Sequence, residues 1–574
     1  MTGFASTIAA TWRLASPYFR SERRRAGWLL LGAVIAIELS IVAVHVMINK
    51  WNSRFFNAIQ DRNLEAFGTE LLNFCMLAAA FIVLAVYQQY LSQWLRIHWR
   101  EWMTRRLLDR WLGAAVHYRM QLVGNGVDNP DQRIAEDVRL FVDHTVSLCI
   151  GFLGAVVSLA SFVIILWALS AKAPLRLFGA DAMIPGYLVW GALLYATLGT
   201  ALAHVIGRAL IGLDFHQQRF EADFRFNLVR VRENSEQIAL LSGERTEQKR
   251  LSARFDAISG NWFAIMRRQK LLTFFTAGYN QASHIFPYLV VSPAYFAGGI
   301  ALGGLTQTAS AFGSVQSSLS FFINAYQQLA EWRAVIDRLA GFDDAVAAAQ
   351  SETNTPRPIA HEGEDPSRLR VDSLTVALPN GVQLPGALDL QLLRGDCVLL
   401  TGPSGTGKST LFRAIGGIWP FATGAVRVPA GAKVMILPQR PYLPIGLLAG
   451  AVAYPAGHER FTAQQIGDAL VAVGLPALAG RLDEEAHWGA VLSLGEQQRL
   501  TIARALLHGP DYLFLDEATA SLDEAVESAL YRLLHERLPQ TAIVSIGHRS
   551  TLRAFHRRHI EIASPEMSMF RAAS

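Results

Sequence analysis

Glycine, lysine and hydroxyl residues are concentrated in one short run that has the spacing of a phosphate-binding loop. The run consists of Gly402, Pro403, Ser404, Gly405, Thr406, Gly407, Lys408, Ser409 and Thr410. Its glycines allow successive backbone N–H groups to surround phosphate oxygens, and the helix predicted to follow adds the positive end of its dipole. We expect Lys408 to reach the β- and γ-phosphates of a nucleotide and Ser409 to ligate Mg²⁺.

The segments on either side of this run fit the same prediction. An apolar segment at 396–401 is typical of a buried strand, and the segment at 411–415 is typical of a helix. A chance glycine-rich turn is the alternative explanation, and the strand-loop-helix context argues against it. The sequence therefore predicts a nucleotide site that uses Mg²⁺.

A second apolar run, at 512–517, is predicted to be a buried strand that ends in two carboxylates, Asp516 and Glu517. We expect Asp516 to hold Mg²⁺ through its water shell and Glu517 to polarise the attacking water. A strand that happens to end in an acidic turn would show the same residues. The long separation from the phosphate loop suits a helical insertion between two strands, which favours the catalytic interpretation.

Motifs in and around that insertion occur in the order of one known family. The run Leu492–Arg499 resembles the signature of ATP-binding cassette (ABC) proteins, Gln439 matches the Q-loop, Ser521–Asp523 the D-loop and His548 the H-loop. The chain therefore resembles an ABC protein. The resemblance implies ATP as the cofactor and catalytic roles for Glu517, His548 and Gln439.

The resemblance also implies how the signature meets the nucleotide. Ser493 and the backbone amides of Leu494 and Gly495 lie at a predicted helix start, where they can bind a γ-phosphate. In the family this surface acts across a dimer, so one cassette in one chain implies a dimer, most simply a homodimer. The implied nucleotide contacts outside the phosphate loop are Ser493, Gly495, Glu496, Gln497 and Asp523. The implied Mg²⁺ ligands are Ser409, Gln439 and Asp516.

Two positions depart from the family pattern. Leu494 stands where the signature usually has a glycine, and the segment at 374–379 lacks the aromatic residue that usually stacks on adenine. Hydrolysis of ATP is still expected, because every group that contacts phosphate or Mg²⁺ is present.

Composition places much of the remaining chain in a membrane. The chain has 574 residues, 51% of them hydrophobic, with a mean hydropathy of +0.24. This length predicts two or more domains, and this hydropathy predicts membrane spans. The net charge of +5 comes from arginines, which suits the cytoplasmic-loop bias of membrane proteins better than nucleic-acid binding. Three distant cysteines indicate neither a disulfide framework nor a zinc site.

Six apolar segments approach the roughly 20 residues that a bilayer requires. They lie at about 27–49, 70–94, 145–169, 184–206, 276–300 and 310–330. Arginine-rich segments follow spans two and four, while the loops at about 171–183 and 301–309 are short and carry few charges, so both termini are predicted to be cytoplasmic. The arginine-rich segments are predicted to be helical extensions of the spans. The predicted domains are a transmembrane domain with cytoplasmic coupling helices at 1–340, a linker at 341–367 and an ABC nucleotide-binding domain at 368–574.

The membrane half resembles the SbmA/BacA peptide-transporter group and the peroxisomal-type, subfamily D half-transporters. The segments that carry this resemblance are 49–52, 55–60, 128–134, 224–226 and 232–240. It implies an exporter-like fold and a homodimer in a bacterial inner membrane. The implied function is ATP-driven import of hydrophilic solutes such as antimicrobial peptides, bleomycin-like compounds or cobalamin. A lipid or fatty acyl-CoA transporter and a membrane-tethered regulatory ATPase remain as alternatives.

Polar residues inside predicted spans are candidates for a cargo cavity, because burying ionisable groups in lipid is costly. The candidates are Glu38, His45, His204, His284, Gln316, Ser320 and Asn324. For the last span an alternative stays open, since Gly313, Ser317 and Ser320 also suit close helix packing.

Overall fold

The computed structural model describes residues 2–123, 129–172, 175–177, 180–182, 185–321, 325–351, 359–360, 368–384, 386–403 and 405–562. Ser404, Asn324 and much of the predicted linker lie outside the described residues. The chain divides into two compact units. One is formed by Met1–Leu108 and Asn129–Phe342, and the other by Asp109–Asp128 and Asp343–Ser574.

Long α-helices build the first unit, since its sequence is apolar over stretches that exceed the thickness of a bilayer. The helices lying wholly or partly in it are Thr2–Ala15, Arg24–Gln60, Leu64–Leu112, Pro130–Gln132, Val138–Lys172, Tyr187–Glu233, Ser235–Leu240, Glu244–Phe296, Leu302–Leu319 and Tyr326–Ser351. A π-helical segment, Arg133–Asp137, precedes Val138. The strands β1 (Leu175–Leu177) and β2 (Ala180–Ala182) pair antiparallel.

The first five predicted spans each lie mainly on one helix, whereas the sixth, at about 310–330, overlaps Leu302–Leu319, three residues outside the described part of the chain and Tyr326–Ser351. Within the described residues, four helical stretches are long and apolar enough to cross a membrane, namely Arg24–Gln60, Leu64–Leu122, Pro130–Ala171 and Tyr187–Glu233. The fifth and sixth predicted spans carry more polar residues. The predicted helical extensions are present. Three helices continue well beyond their apolar segments, namely Leu64–Leu112, Tyr187–Glu233 and Glu244–Phe296.

The predicted loop at 301–309 is wrong, because a helix begins at Leu302. Side chains from a distant helix cap this start: Gln60 Oε1 accepts from the Leu302 N–H at 2.6 Å and Asn57 Oδ1 from the Gly303 N–H at 2.9 Å. A Cβ on Gly303 would lie 1.9 Å from the Ser53 carbonyl oxygen, so the two helices cross where glycine alone permits the approach.

The segment at 49–60 also joins helices through two other side chains. Asn49, which is 1% exposed, donates to the Gln307 carbonyl at 3.1 Å and accepts from the Gln307 amide at 3.2 Å. Trp51 donates from its indole to the Glu70 carbonyl at 2.7 Å. Much of this polar segment therefore holds helices together.

Two sheets organise the second unit. A five-stranded sheet has the order β13-β6-β12-β11-β8 and is parallel throughout. Its strands are β6 (Cys397–Thr401), β8 (Val434–Leu437), β11 (Tyr512–Asp516), β12 (Ala542–Ile546) and β13 (Arg558–Glu561). A four-stranded sheet has the order β3-β7-β4-β5 and consists of β3 (Ile359–Ala360), β4 (Arg368–Val376), β5 (Leu388–Leu393) and β7 (Ala422–Arg427). The central strands β6, β11 and β12 are almost wholly buried, as parallel strands covered on both faces are.

Helices and two short strands complete this unit. The helices are Val116–Val123, Lys408–Ile415, Leu448–Ala453, Ala463–Ala472, Pro476–Ala479, Trp488–Val491, Leu494–His508 and Glu524–Arg537. The strands β9 (Gly446–Leu447) and β10 (Glu485–Ala486) pair antiparallel. Most of these helices lie between β8 and β11 in the chain, which is the insertion that the sequence predicts.

Candidate functional site

The phosphate loop connects the buried strand β6 to the helix Lys408–Ile415. Gly402, Gly405 and Gly407 have φ angles of +152°, +84° and +87°, a region that favours glycine. A Cβ on Gly407 would lie 2.3 Å from Leu384 Cδ1. Thr406 fixes the turn from inside, because its hydroxyl donates to the Pro403 carbonyl at 2.9 Å.

The Lys408 side chain lies within this loop. Its ammonium group donates to the carbonyl oxygens of Gly402 and Pro403, both at 2.8 Å, and the residue is only 6% exposed. Burial lowers the pKa of Lys408, and the nearby carboxylates of Glu517 and Asp516 oppose that shift. These weak neutral acceptors leave the cation free to exchange them for phosphate oxygens, which bind an ammonium group more strongly.

A hydroxyl and a carboxylate meet at the start of the same helix. Ser409 Oγ donates to Asp516 Oδ1 at 2.8 Å. Burial raises the pKa of Asp516, the Ser409 hydrogen bond lowers it, and Glu517 raises it further. A divalent cation would reverse this shift. The oxygen donors fit Mg²⁺, which takes few protein ligands and completes its shell with water and phosphate.

Glu517 follows β11 in a left-handed conformation, with φ +49°. Gln439 Nε2 donates to Glu517 Oε2 at 2.9 Å, and His548 Nε2 lies 3.4 Å from Glu517 Oε1. Gln439 follows β8 and His548 follows β12, and both strands flank β11 in parallel. The three predicted catalytic side chains therefore meet at the carboxyl edge of the sheet, where parallel strands present their ends.

The signature residues form a tight helix start. Ser493 caps the helix Leu494–His508, and Glu496 returns to it, accepting from the Ser493 N–H at 2.9 Å and from its hydroxyl at 2.8 Å. These hydrogen bonds lower the pKa of Glu496. Gln497 donates to the Gly489 and Leu492 carbonyls at 2.9 and 2.8 Å. Both predicted nucleotide-binding side chains thus make local hydrogen bonds in the single chain.

Two further signature and D-loop residues have defined places. A Cβ on Gly495 would lie 3.3 Å from Leu522 Cδ2, so the signature helix packs closely on the loop after β11. Asp523 caps the helix Glu524–Arg537, since its Oδ1 accepts from the Val526 N–H at 2.8 Å.

Comparison with known proteins identifies this arrangement. Residues 14–296 match the family model of ABC transporter transmembrane region 2, and residues 386–520 match that of the ABC transporter. The inner membrane ABC transporter ATP-binding protein YddA of Escherichia coli strain K12 is 34% identical over 94% of this chain and 95% of its own length. The chain belongs to the ABC transporter family.

Two other similarities define this ABC transporter further. ABC transporter D family member 2, chloroplastic, of Arabidopsis thaliana is 32% identical over 98% of this chain and 87% of its own. A solved structure of a bacterial Atm1-family ABC exporter with ATP bound covers 96% of this chain and 97% of its own, with 16% identity and a TM-score of 0.71. The predicted exporter-like fold is confirmed. The protein is a multi-pass, subfamily D-like half-transporter that binds and hydrolyses ATP to drive transport, and a half-transporter must dimerise.

Among the predicted cargo residues of the transporter, Glu38 makes the best-defined contacts. Its carboxylate accepts a hydrogen bond from the Gln88 amide. A Cβ on Gly154 would lie 2.0 Å from Glu38 Oε1. Three helices, Arg24–Gln60, Leu64–Leu112 and Val138–Lys172, therefore meet at this carboxylate.

The remaining cargo candidates lie in different surroundings. His45 packs on Phe81 with ring centroids 5.3 Å apart, and His45, His204 and His284 are exposed side chains. Gln316 and Ser320 are each 7% exposed. A pocket of about 450 Å³ in the first unit is lined by other residues, namely Ile97, Arg100, Glu101, Thr104, Arg105, Ile134 and Ala135.

A separate helix that the sequence does not predict packs on the cassette. Tyr118 and Leu122, on Val116–Val123, pack against the core that includes β6 and β12. Arg119 is 5% exposed and donates to the Gly417 carbonyl at 3.3 Å. The alternation of apolar and basic residues in Val116–Val123 is a weak sequence signal for this helix. Two positive φ angles, at Ala114 and Ala115, separate this helix from the preceding one.

Proposed function

We propose that the transporter works as a homodimer in a bacterial inner membrane, with both termini cytoplasmic, and imports hydrophilic solutes, peptides being the leading class. The observation that supports the energy source is the convergence of Gln439 and His548 on Glu517, at 2.9 and 3.4 Å. In this proposal Glu517 orients the attacking water, His548 contacts the γ-phosphate, and Gln439, Ser409 and Asp516 contribute to the Mg²⁺ site.

The dimer supplies the second half of each nucleotide site. The first N–H groups of the helix Leu494–His508 have no partner within the helix, so they present donors and a positive dipole end to an anion. We assign these groups and Ser493 to the γ-phosphate on the other protomer's phosphate loop. The loop residues Gly402 to Thr410, including Ser404, would hold the β- and γ-phosphates of that nucleotide.

The polar interior of the membrane domain supports a hydrophilic cargo. Glu38 and Gln88 form a hydrogen bond between helices, and Gln316 and Ser320 place polar atoms on another helix. Polar groups within a membrane are costly unless they are paired or line a solvated path. Antimicrobial peptides, bleomycin-like compounds and cobalamin are hydrophilic cargoes of the kind that a solvated path would carry. Subfamily D likeness favours a second candidate, a lipid or fatty acyl-CoA substrate, which would need an apolar path.

Reconstitution in proteoliposomes tests this proposal. Purified wild-type protein should take up a labelled peptide only with Mg-ATP, and Glu517→Gln should lower both phosphate release and uptake by at least about 100-fold. Glu536→Gln, which changes an exposed glutamate of the same unit, is the matched control. Uptake of acyl-CoA but not peptide would select the second candidate, and ATP hydrolysis without flux of either would indicate a regulatory ATPase.

A further inference from the structure

One fully buried amide joins two loops of the nucleotide site. Gln498 lies on the helix Leu494–His508 and is 0% exposed. Its Oε1 accepts from the Ser521 N–H at 3.0 Å, and its Nε2 donates to the Gln439 carbonyl at 3.3 Å. Both ends of the amide are therefore bonded to backbone groups, one in the loop after β11 and one in the loop after β8.

Both of these loops lead to Glu517. The Gln439 side chain donates to the Glu517 carboxylate at 2.9 Å. On the other side, the turn that starts at Glu517 is closed by the Ala520 N–H, which donates to the Glu517 carbonyl at 3.1 Å. Gln498 is therefore connected to Glu517 in two ways. One connection passes through Gln439 to the Glu517 carboxylate, and the other passes through Ser521 and the turn to the Glu517 backbone.

A second side chain restrains the same turn from the opposite direction. Arg549, which follows His548, donates to the Leu522 carbonyl at 2.6 Å and to the Ala520 carbonyl at 3.1 Å. The turn is consequently held on one side by the signature helix and on the other by the residue next to His548. The Gln498 amide therefore links the signature helix to the turn that begins at Glu517.

We propose that Gln498 is a positioning residue for ATP hydrolysis, whose amide keeps Gln439 and the turn at 517–521 in register so that the Glu517 carboxylate faces the attacking water. This inference rests on the role of Glu517 under the proposed function. Removing the amide takes away the hydrogen-bond partners of the Ser521 N–H and the Gln439 carbonyl, so neither loop is any longer tied to the signature helix at this point. Displacements of about 1 Å in a catalytic group lower rates by about 100-fold.

Steady-state ATP hydrolysis by the full-length transporter in nanodiscs tests this role. Gln498→Met keeps the volume and removes both hydrogen bonds, and Gln498→Glu keeps an acceptor for Ser521 but loses the donor to Gln439. We expect both variants to lower kcat by about 10- to 100-fold, with KM for ATP within about twofold of wild type. Thr501→Val is the matched control, because Thr501 lies on the same helix, is 1% exposed and donates only to the Gln498 backbone carbonyl at 2.8 Å.

A double-mutant cycle separates positioning from general stability. If Gln498 acts through the carboxylate, Gln498→Met should have little further effect on the residual hydrolysis of Glu517→Gln. If the role is purely structural, Gln498→Met should lower kcat by the same factor in wild type and in Glu517→Gln, and this result would overturn the proposal. Equal kcat values for Gln498→Met and Thr501→Val would also overturn it. Thermal unfolding of each variant identifies loss of folded protein. If the wild-type protein did not hydrolyse ATP, or if Glu517→Gln hydrolysed ATP at the wild-type rate, the proposed function itself would be refuted.

Discussion

His556 is expected to make the cassette less stable in mild acid. The imidazole is 4% exposed, with Nδ1 at 2.7 Å from the Leu552 carbonyl and Nε2 at 2.8 Å from the Ser545 hydroxyl. The carbonyl can only accept, so Nδ1 carries the proton and Nε2 accepts from Ser545. The Ser545 hydroxyl also receives the Tyr531 hydroxyl proton at 3.0 Å. A second proton on this ring would force the Ser545 hydroxyl to change from donor to acceptor and would add a buried charge.

The size of the effect follows from the pKa of the imidazole. Burial is the main cause that lowers the pKa of His556 from 6.5 to about 4. A lowered folded pKa contributes stability that is present above the unfolded value and is lost as pH falls from about 6.5 towards 4. Applying that linkage at pH 5 gives a loss of about 2 kcal/mol in the free energy of unfolding relative to pH 8.

Hydrogen exchange measures this loss in the full-length protein. The opening free energy of amides in β12, corrected for intrinsic exchange, should fall by about 2 kcal/mol more between pH 8 and pH 5 in wild type than in His556→Gln. The glutamine amide can bond to the same two partners and does not titrate. His458→Gln, at a side chain that is 41% exposed, serves as the control. Equal pH dependence in wild type and His556→Gln would refute the buried neutral imidazole.

Two glycines give further predictions. Gly407→Ala should raise KM for ATP by at least about tenfold, because a positive φ and a Cβ 2.3 Å from Leu384 Cδ1 both distort the loop; unchanged ATP binding in a filter assay would contradict this. Gly154→Ala should lower the melting temperature and cargo flux while ATP binding persists, since its Cβ would collide with the Glu38 carboxylate. Gly32→Ala, with open space around its Cβ, is the control, and equal melting temperatures in the two variants would argue against the contact at Glu38.

The sequence predicts the elements of the cassette well because their signals are local. Strands β6, β11 and β12 are short apolar runs, and each is followed by a residue type that parallel strands present at their carboxyl ends. Because β8, β11 and β12 are neighbouring parallel strands, Gln439, Glu517 and His548 lie together at the carboxyl edge of the sheet. The order of the strands is not readable from the residues themselves, and it enters through the resemblance to a known family.

Contacts between distant residues explain what the sequence does not predict. The helix at Leu302 starts early because Asn57 and Gln60, far away in the chain, accept its first N–H groups. In the sequence, Gln498 is one polar residue among several in the signature, and nothing local indicates its partners. The fold shows that its amide bonds to the backbone of Gln439 and Ser521. Such residues carry no local periodicity, so their partners cannot be inferred from spacing.

The local hydrogen bonds of the signature bear on the unusual residue at 494. Glu496 and Gln497 are engaged with Ser493 and with nearby carbonyls, so in the single chain the free donors at this helix start are backbone N–H groups. Leu494 is 43% exposed and does not belong to the buried core. A backbone N–H group can donate whatever side chain its residue carries, as long as that side chain does not block the approach of the acceptor. A leucine in place of the usual glycine therefore keeps the anion-binding donors and adds an apolar surface beside them, at the face that we assign to the partner's nucleotide.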